Sequence, residues 1–308
     1  MRYEKWLNIW LENYVRISTK SRTYERYGQS VRNKIIPALG NYDLAELTPL
    51  ILQSYVGDLL KAGNLRSGKG LAPNFVKSII SIIRNSLKTA YLVGYLSEYS
   101  ADKIRSPKII EKKVNCFTVL EQRKIEEAVK DSKKDKMLGI LICLYTGMRI
   151  GELLSLTWED VDFSRRMISI TKTCRDGKRN GVRMRIVDSP KTESSRRFIP
   201  IPNGILPYLK KMKRKSRCEN VVQYKDKPAL IRSYQRTFEL LLRRLNIPHK
   251  GFHSLRHTFA TRALECGMDV KTLAEILGHK NATTTLNRYA HSLWEHKVEM
   301  MDRLGKSL

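Results

Sequence analysis

Between Glu98 and Cys116 the chain reads EYSADKIRSPKIIEKKVNC, a polar and charged run with one proline and no hydrophobic period. Such a run offers no face to a core, so it divides the chain into two parts that must each bury their own apolar residues. Residues 1–97 are expected to form one domain, 98–116 a linker and 117–308 a second domain. Length agrees, since 308 residues exceed what a single compact core usually organises.

The first part has helical spacing throughout. Trp6, Leu7, Trp10, Leu11, Tyr14 and Val15 form an apolar stripe, and Pro37 to Gly40 closes the next helical stretch. Thr48 followed by Pro49 is an N-cap with proline at the first helical position. Past the loop GNLRSGKG, Pro73 opens FVKSIISIIRNSLKTAYLVGYL, so a bundle of about four helices is expected. In the second part Thr118 and Glu121 form a capping-box pattern. An apolar helix MLGILICLYT follows, then a break at Gly147 and a second helical run, IGELLSL. From Met167 the period changes to alternation in MISITKT, VRMRIV and RRFIPI, separated by the turn segments CRDGKRNG and DSPKTESS, and from Ser233 it is helical again. The expected fold is mainly α with a small antiparallel β-sheet.

Charge narrows the partner. Lys and Arg number 58 against 30 Asp and Glu, a formal +28, which calls for a polyanion. No run of about 18 apolar residues exists and MRYEKWLNIWLENY has no signal-peptide core, which favours nucleic acid over a membrane. The five cysteines, Cys116, Cys143, Cys174, Cys218 and Cys266, are scattered without metal-ligand spacing. They read as reduced thiols in a cytoplasmic protein with no disulfide and no metal.

Several residues exceed what core building requires. In HSLRHTFATRALECG, taken as a helix from His253 to Gly267 at about 100° per residue, Leu255, Phe259, Ala260, Ala263 and Leu264 form an apolar arc. Arg256 and His253 fall inside it, while Ser254, His257, Thr258, Thr261, Arg262 and Glu265 take the other side. An arginine there needs either a buried carboxylate or a bound anion. Arg149, in TGMRIGELL, sits after a glycine turn at a helix start, where free N–H groups and the dipole favour an anion. Glu152, one turn on, either fixes the Arg149 rotamer or is an ordinary first-turn acid. Lys191, between two expected strands, is a solvated loop lysine or one that reaches into a DNA groove. His279, after KTLAEIL and Gly278, is a helix C-cap or a chemical group, and Tyr289 anchors an amphipathic helix or reacts. Taken together, two arginines, a lysine, two histidines and a late tyrosine suit phosphoryl transfer without a metal or other cofactor, which needs alignment of attacker and leaving group and charge stabilisation at the equatorial oxygens.

TGMRIGELLSLTW, PKTESSRRFIPI, HSLRHTFAT and LGHKNATTTLNRY, in this order, resemble the tyrosine recombinase (phage integrase) family. YLVGYL and IIPALGNYDLAELT resemble its N-terminal core-binding, SAM-like domain, so the resemblance covers nearly the whole chain. It implies that Tyr289 attacks a scissile phosphodiester of double-stranded DNA to form a 3'-phosphotyrosyl link, with Arg149 and Arg256 on the non-bridging oxygens. It further implies that Lys191 protonates the departing 5' oxygen, that His253 assists proton transfer and that His279 hydrogen-bonds the phosphate. Two rounds would pass through a Holliday junction during integration or excision of a mobile element, with an accessory DNA-bending or excision factor as a further partner. Ser254 stands where many relatives carry Asp and Met148 where Leu is common, and the chain opens on the core-binding domain without the arm-binding domain of lambda-type integrases. The segment HSLWEHKVEMMDRLGKSL, with Leu293, Val298, Met300, Met301 and Leu304, packs on its own domain or, as the family suggests, docks on a neighbouring protomer to give a tetramer on DNA. Asn85 and Lys88 in IIRNSLK are candidates for base reading. Two other functions fit the same residues: a DNA-binding regulator without catalysis, and relaxation of the type IB topoisomerase kind.

Overall fold

The computed structural model describes all residues except 65–66, 111–114, 133, 180–181, 190–194, 225–226, 280, 290–297, 299–300, 303 and 307–308; the side chains of 135, 178–179, 183, 284 and 287–289 are likewise outside the description. The chain forms two units, Met1–Lys112 and Lys113–Leu308.

In the first unit α1 (Tyr3–Trp10) runs through a π-helical turn into α2 (Arg16–Ser18), and α3 (Ser21–Ser30) runs likewise into α4 (Ile36–Leu39). α5 (Pro49–Ala62) starts where Thr48 accepts from the Ile51 amide at 3.4 Å, and α6 (Pro73–Leu92) is the longest helix. Trp6, Leu7, Trp10, Leu11 and Val15 are buried as their spacing predicts, whereas Tyr14 is exposed. Polar atoms of the stripe are satisfied from α6: Tyr3 Oη lies 2.7 Å from Ser86 Oγ, Trp6 Nε1 donates to Ser86 O at 3.0 Å and Trp10 Nε1 to Thr89 Oγ1 at 3.2 Å. The start of the expected linker belongs to this core. Ala101 and Ile104 are buried in it, and Arg84 donates to the carbonyls of both. A charged segment can pack when its few apolar residues turn inward and a neighbouring cation satisfies its backbone.

The second unit begins with α7 (Val119–Lys130), whose capping box is formed: Glu121 N donates to Thr118 Oγ1 at 3.2 Å and Thr118 N to Glu121 Oε2 at 2.8 Å. α8 (Leu138–Thr146) is buried on nearly all sides and ends at Gly147, with φ 64°. α9 (Ile150–Ser155) follows at once. The β region holds β1 (Val161–Asp162), β2 (Met167–Ile170), β3 (Thr173–Arg179), β4 (Val182–Asp188) and β5 (Arg197–Pro200). β1, β2 and β5 form one antiparallel sheet, with Ile168 opposite Ile199 and Ile170 opposite Arg197, while β3 and β4 pair separately.

This corrects the expectation of a single sheet in which CRDGKRNG is a turn. Residues 174–179 are strand, because their polar groups are spent on tertiary bonds: both Asp176 carboxylate oxygens accept from the first amides of a later helix, Ile231 N and Arg232 N, at 2.9 Å. After β5 come α10 (Leu206–Lys215), the small pair β6 (Gln223–Tyr224) and β7 (Lys227–Pro228), and then α11 (Ile231–Arg244), α12 (His253–Glu265), α13 (Val270–Leu277) and α14 (Ala282–Tyr289). Among the described residues no helix is long and apolar enough to cross a membrane.

Candidate active site

A helix leaves its last carbonyls without an intrahelical donor, and they carry the negative end of its dipole. At α13 three arginines fill them in succession. Ile276 O accepts from Arg197 Nε at 2.5 Å, Leu277 O from Arg256 Nη2 at 2.7 Å and Gly278 O from Arg149 Nη2 at 3.2 Å. Gly278 ends the helix with φ 64°, in the left-handed region that favours glycine.

Arg256 is 2% exposed and its Nη1 also donates to Gly147 O at 2.9 Å, so one buried guanidinium joins the C-terminal ends of α8 and α13. The helical wheel places it inward correctly and asks for a carboxylate or an anion. Backbone carbonyls at two helix ends answer that demand, because their aligned dipoles supply partial negative charge. The third partner is His279, whose Nε2 lies 2.8 Å from Arg256 Nη2. A guanidinium has no acceptor, so the ring is neutral with Nε2 accepting, and Nδ1 carries the proton and donates to Thr285 Oγ1 at 2.7 Å.

Glu152 is the acid of the cluster. Its buried carboxylate accepts from Arg149 N and Nη1, both at 2.8 Å, and from Arg197 Nη2 at 2.9 Å and Nη1 at 3.2 Å. Burial acts to raise its pKa, but the hydrogen bonds and charge of Arg197 and the charge of Arg149 outweigh it, and the carboxyl stays below the ordinary glutamate value. Arg149 keeps 37% of its side chain exposed against 6% for Arg197, so of these two it is the one turned to an outside anion.

His253, expected within the apolar arc, is exposed. As first residue of α12 it precedes the part of the helix that enters the core, and its ring stands edge-on to His257 at 4.6 Å. Of the side of α12 expected to be polar, Ser254, His257, Thr258 and Thr261 are buried while Arg262 is half-buried and Glu265 exposed, and Thr258 Oγ1 both donates to Ser254 O and accepts from Phe117 N at 2.8 Å. Lys191 lies outside the described residues, between β4 and β5. Tyr289 is the last residue of α14, four positions beyond Thr285, and its side chain is outside the description. In the first unit Asn85 and Lys88 are exposed on α6.

Sequence reasoning missed Arg197 and Thr285. For Arg197 a signal existed: alternation along RRFIPI puts it on the same side as Ile199 and Ile201, both buried, so a charge at that position needed a partner. Thr285, in a run of three threonines, carried no such mark. Among the described residues no group of three or more His, Cys, Asp or Glu could hold a metal ion.

Cationic side chains thus gather at the end of α13, and a short helix ending in tyrosine follows closely in the chain. Residues 118–296 match the phage integrase family and residues 3–60 the N-terminal SAM-like domain of phage integrases; the chain belongs to that family, the tyrosine recombinases, enzymes that break and rejoin DNA. It is 28% identical to the tyrosine recombinase XerC-like protein of Caldanaerobacter subterraneus subsp. tengcongensis, over 97% of this chain and 81% of that one. Its fold is similar to that of the Tn1549 transposon integrase in complex with a circular intermediate DNA, at 22% identity and TM-score 0.81, covering 99% of both chains. It is also similar to a lambda integrase tetramer bound to a Holliday junction, at 20% identity and TM-score 0.68, covering 92% of this chain and 79% of that one.

Proposed function

We propose that this chain is a site-specific recombinase that cuts and rejoins duplex DNA during integration or excision of a mobile element. In this reading Tyr289 Oη attacks a backbone phosphorus, a 3'-phosphotyrosyl bond forms, the bond to the 5' oxygen breaks, and that oxygen leaves as a hydroxyl. Lys191 gives the leaving oxygen its proton, and exposed His253 takes the proton of the tyrosine. Arg149 meets the phosphate through its open edge, and Arg256 adds charge from beneath. His279 accepts from Arg256 at 2.8 Å through Nε2 in the free protein, and it hydrogen-bonds the phosphate once it releases that arginine and takes a proton from solvent at Nε2. A 5' hydroxyl from a partner strand reverses the step, and two rounds pass through a Holliday junction.

The observation that carries this reading is the succession of arginines on the α13 carbonyls, with α14 and Tyr289 following directly in the chain. Support for a transposon setting and for a four-subunit assembly comes from the Tn1549 and lambda integrase complexes. The proposed tail helix falls mostly outside the described residues, but Val298, Met301 and Leu304 are described and exposed, as a segment that docks on a neighbouring protomer requires. We assign core-site binding to the helical unit, strand exchange to the second, and bending of the target to an accessory factor.

The test is a nicked duplex built from the DNA that flanks the chain's own gene, with the cleaved linkage mapped first. Tyr289→Phe should abolish the covalent protein–DNA complex while binding stays within about threefold, because a single hydroxyl contributes little to an interface dominated by phosphate contacts. A Phe variant that still forms the complex would remove Tyr289 from the role.

A further inference from the structure

The three arginines are not independent. Arg149 and Arg197 share the Glu152 carboxylate, and Arg149, Arg197 and Arg256 hold the consecutive carbonyls of Gly278, Ile276 and Leu277. Arg197 makes the most of these links. It contacts Glu152 through both terminal nitrogens at 2.9 and 3.2 Å, Ile276 O through Nε at 2.5 Å and Ser195 O at 3.1 Å, with its side chain 6% exposed. It cannot reach an outside phosphate from there, so its charge serves its neighbours. Gly278 belongs to the same device: a Cβ on it would lie 3.0 Å from Arg197 Nη1 and 3.1 Å from its Cδ, so a side chain would strain the backbone at φ 64° and shift the guanidinium by a few tenths of an ångström.

We infer that Arg197 is a positioning residue for the cleavage step: through Glu152 it sets the direction of the Arg149 guanidinium, and through Ile276 O it ties that guanidinium to the end of α13, from which the chain runs on to the helix that ends in Tyr289. The inference rests on the recombinase reading above. It differs from a purely structural role in one respect. If Arg197 acts by aiming Arg149 at a charged phosphate oxygen, its loss should matter less when that charge is gone.

The experiment uses full-length chain and two nicked duplexes that differ only at the mapped linkage, one a phosphodiester and the other an uncharged methylphosphonate. Arg197→Lys keeps the charge but loses the fork and the Nε donor. Gly278→Ala keeps both charges, shifts the guanidinium slightly and strains the backbone at φ 64°, and it serves should the lysine variant not fold. For whichever variant melts as a folded protein, binding should be unchanged and single-turnover cleavage of the phosphodiester should fall about 10–100-fold, the range typical of a disrupted orienting partner. On the methylphosphonate the deficit should shrink to about threefold or less, because the uncharged linkage leaves one negative charge fewer for Arg149 to neutralise in the transition state. Cleavage of the phosphodiester at the wild-type rate, or a deficit equally large on both duplexes, overturns the inference. Tyr289→Phe run in parallel separates the two levels: if it still cleaves, the underlying reading fails, whereas an inert Phe variant beside a fully active Arg197→Lys removes the role of Arg197 alone.

Discussion

Arg256 sits where a charge is hardest to keep, 2% exposed within a helix that is buried on most sides. The acceptors it holds, Gly147 O, Leu277 O and His279 Nε2 among them, make removal costly. Arg256→Met would fill the space but abandon Gly147 O and Leu277 O, each at about 1–3 kcal/mol for a buried unpaired group. A thermal melt should therefore fall by several degrees, and an unchanged Tm would mean that the two carbonyls find other donors. The contribution of Glu152 depends on pH. Its folded pKa lies below the ordinary value, so its contribution to stability is complete above the ordinary glutamate range and is lost as pH falls through the lower folded value. Melts of wild type and Glu152→Gln should differ most near neutrality and converge under acid; a gap that stays constant down to about pH 3, below the glutamate range, would show that the carboxylate charge is not what Arg149 and Arg197 hold. Of these residues Arg256 and Arg149 were legible because each broke a local rule, a charge in an apolar arc or a cation at a helix start. Glu152 was legible only as Arg149's neighbour, since its second partner arrives from a strand 45 positions away.

At the scale of elements, helices announced themselves through their ends and β2, β4 and β5 through alternation, whereas β3 did not. The capping box at Thr118, the proline start at Pro49 and the Gly147 break all lie at the ends of helices as local chemistry requires. β3 was hidden because its residues look like a turn until the N-terminus of α11 is present to use the Asp176 carboxylate. The helix ends also carry the geometry of the site, which makes their glycines more than punctuation. Gly147 has φ 64°, and a Cβ there would lie 2.4 Å from Phe259 Cδ1. Gly147→Ala thus meets both backbone strain and a clash with a ring on α12, the helix that carries Arg256. The expected loss is about 1–3 kcal/mol of stability, with cleavage reduced further than stability alone accounts for. A variant that melts lower but cleaves at the wild-type rate would mean that the α8 end does not help to hold Arg256.

The whole molecule is a cation of formal charge +28, and this excess belongs to both units rather than to the site alone. Binding to DNA should then be driven largely by release of counterions, with the logarithm of affinity falling by about 0.9 per phosphate contacted for each tenfold rise in salt. Asn85 and Lys88, both exposed on α6, divide that effect from base reading. Lys88→Ala, if Lys88 contacts a phosphate, should weaken binding to all sequences alike and lower the salt slope by about one. Asn85→Ala should leave the slope alone and reduce the preference for the mapped site over unrelated DNA, because an amide reads a base edge without releasing an ion. Titrations of each variant against mapped and scrambled duplexes at four salt concentrations distinguish the roles. If the Asn85 variant changes the slope, or neither variant changes anything, α6 does not present this face to DNA, and base reading must lie on another helix of the first unit.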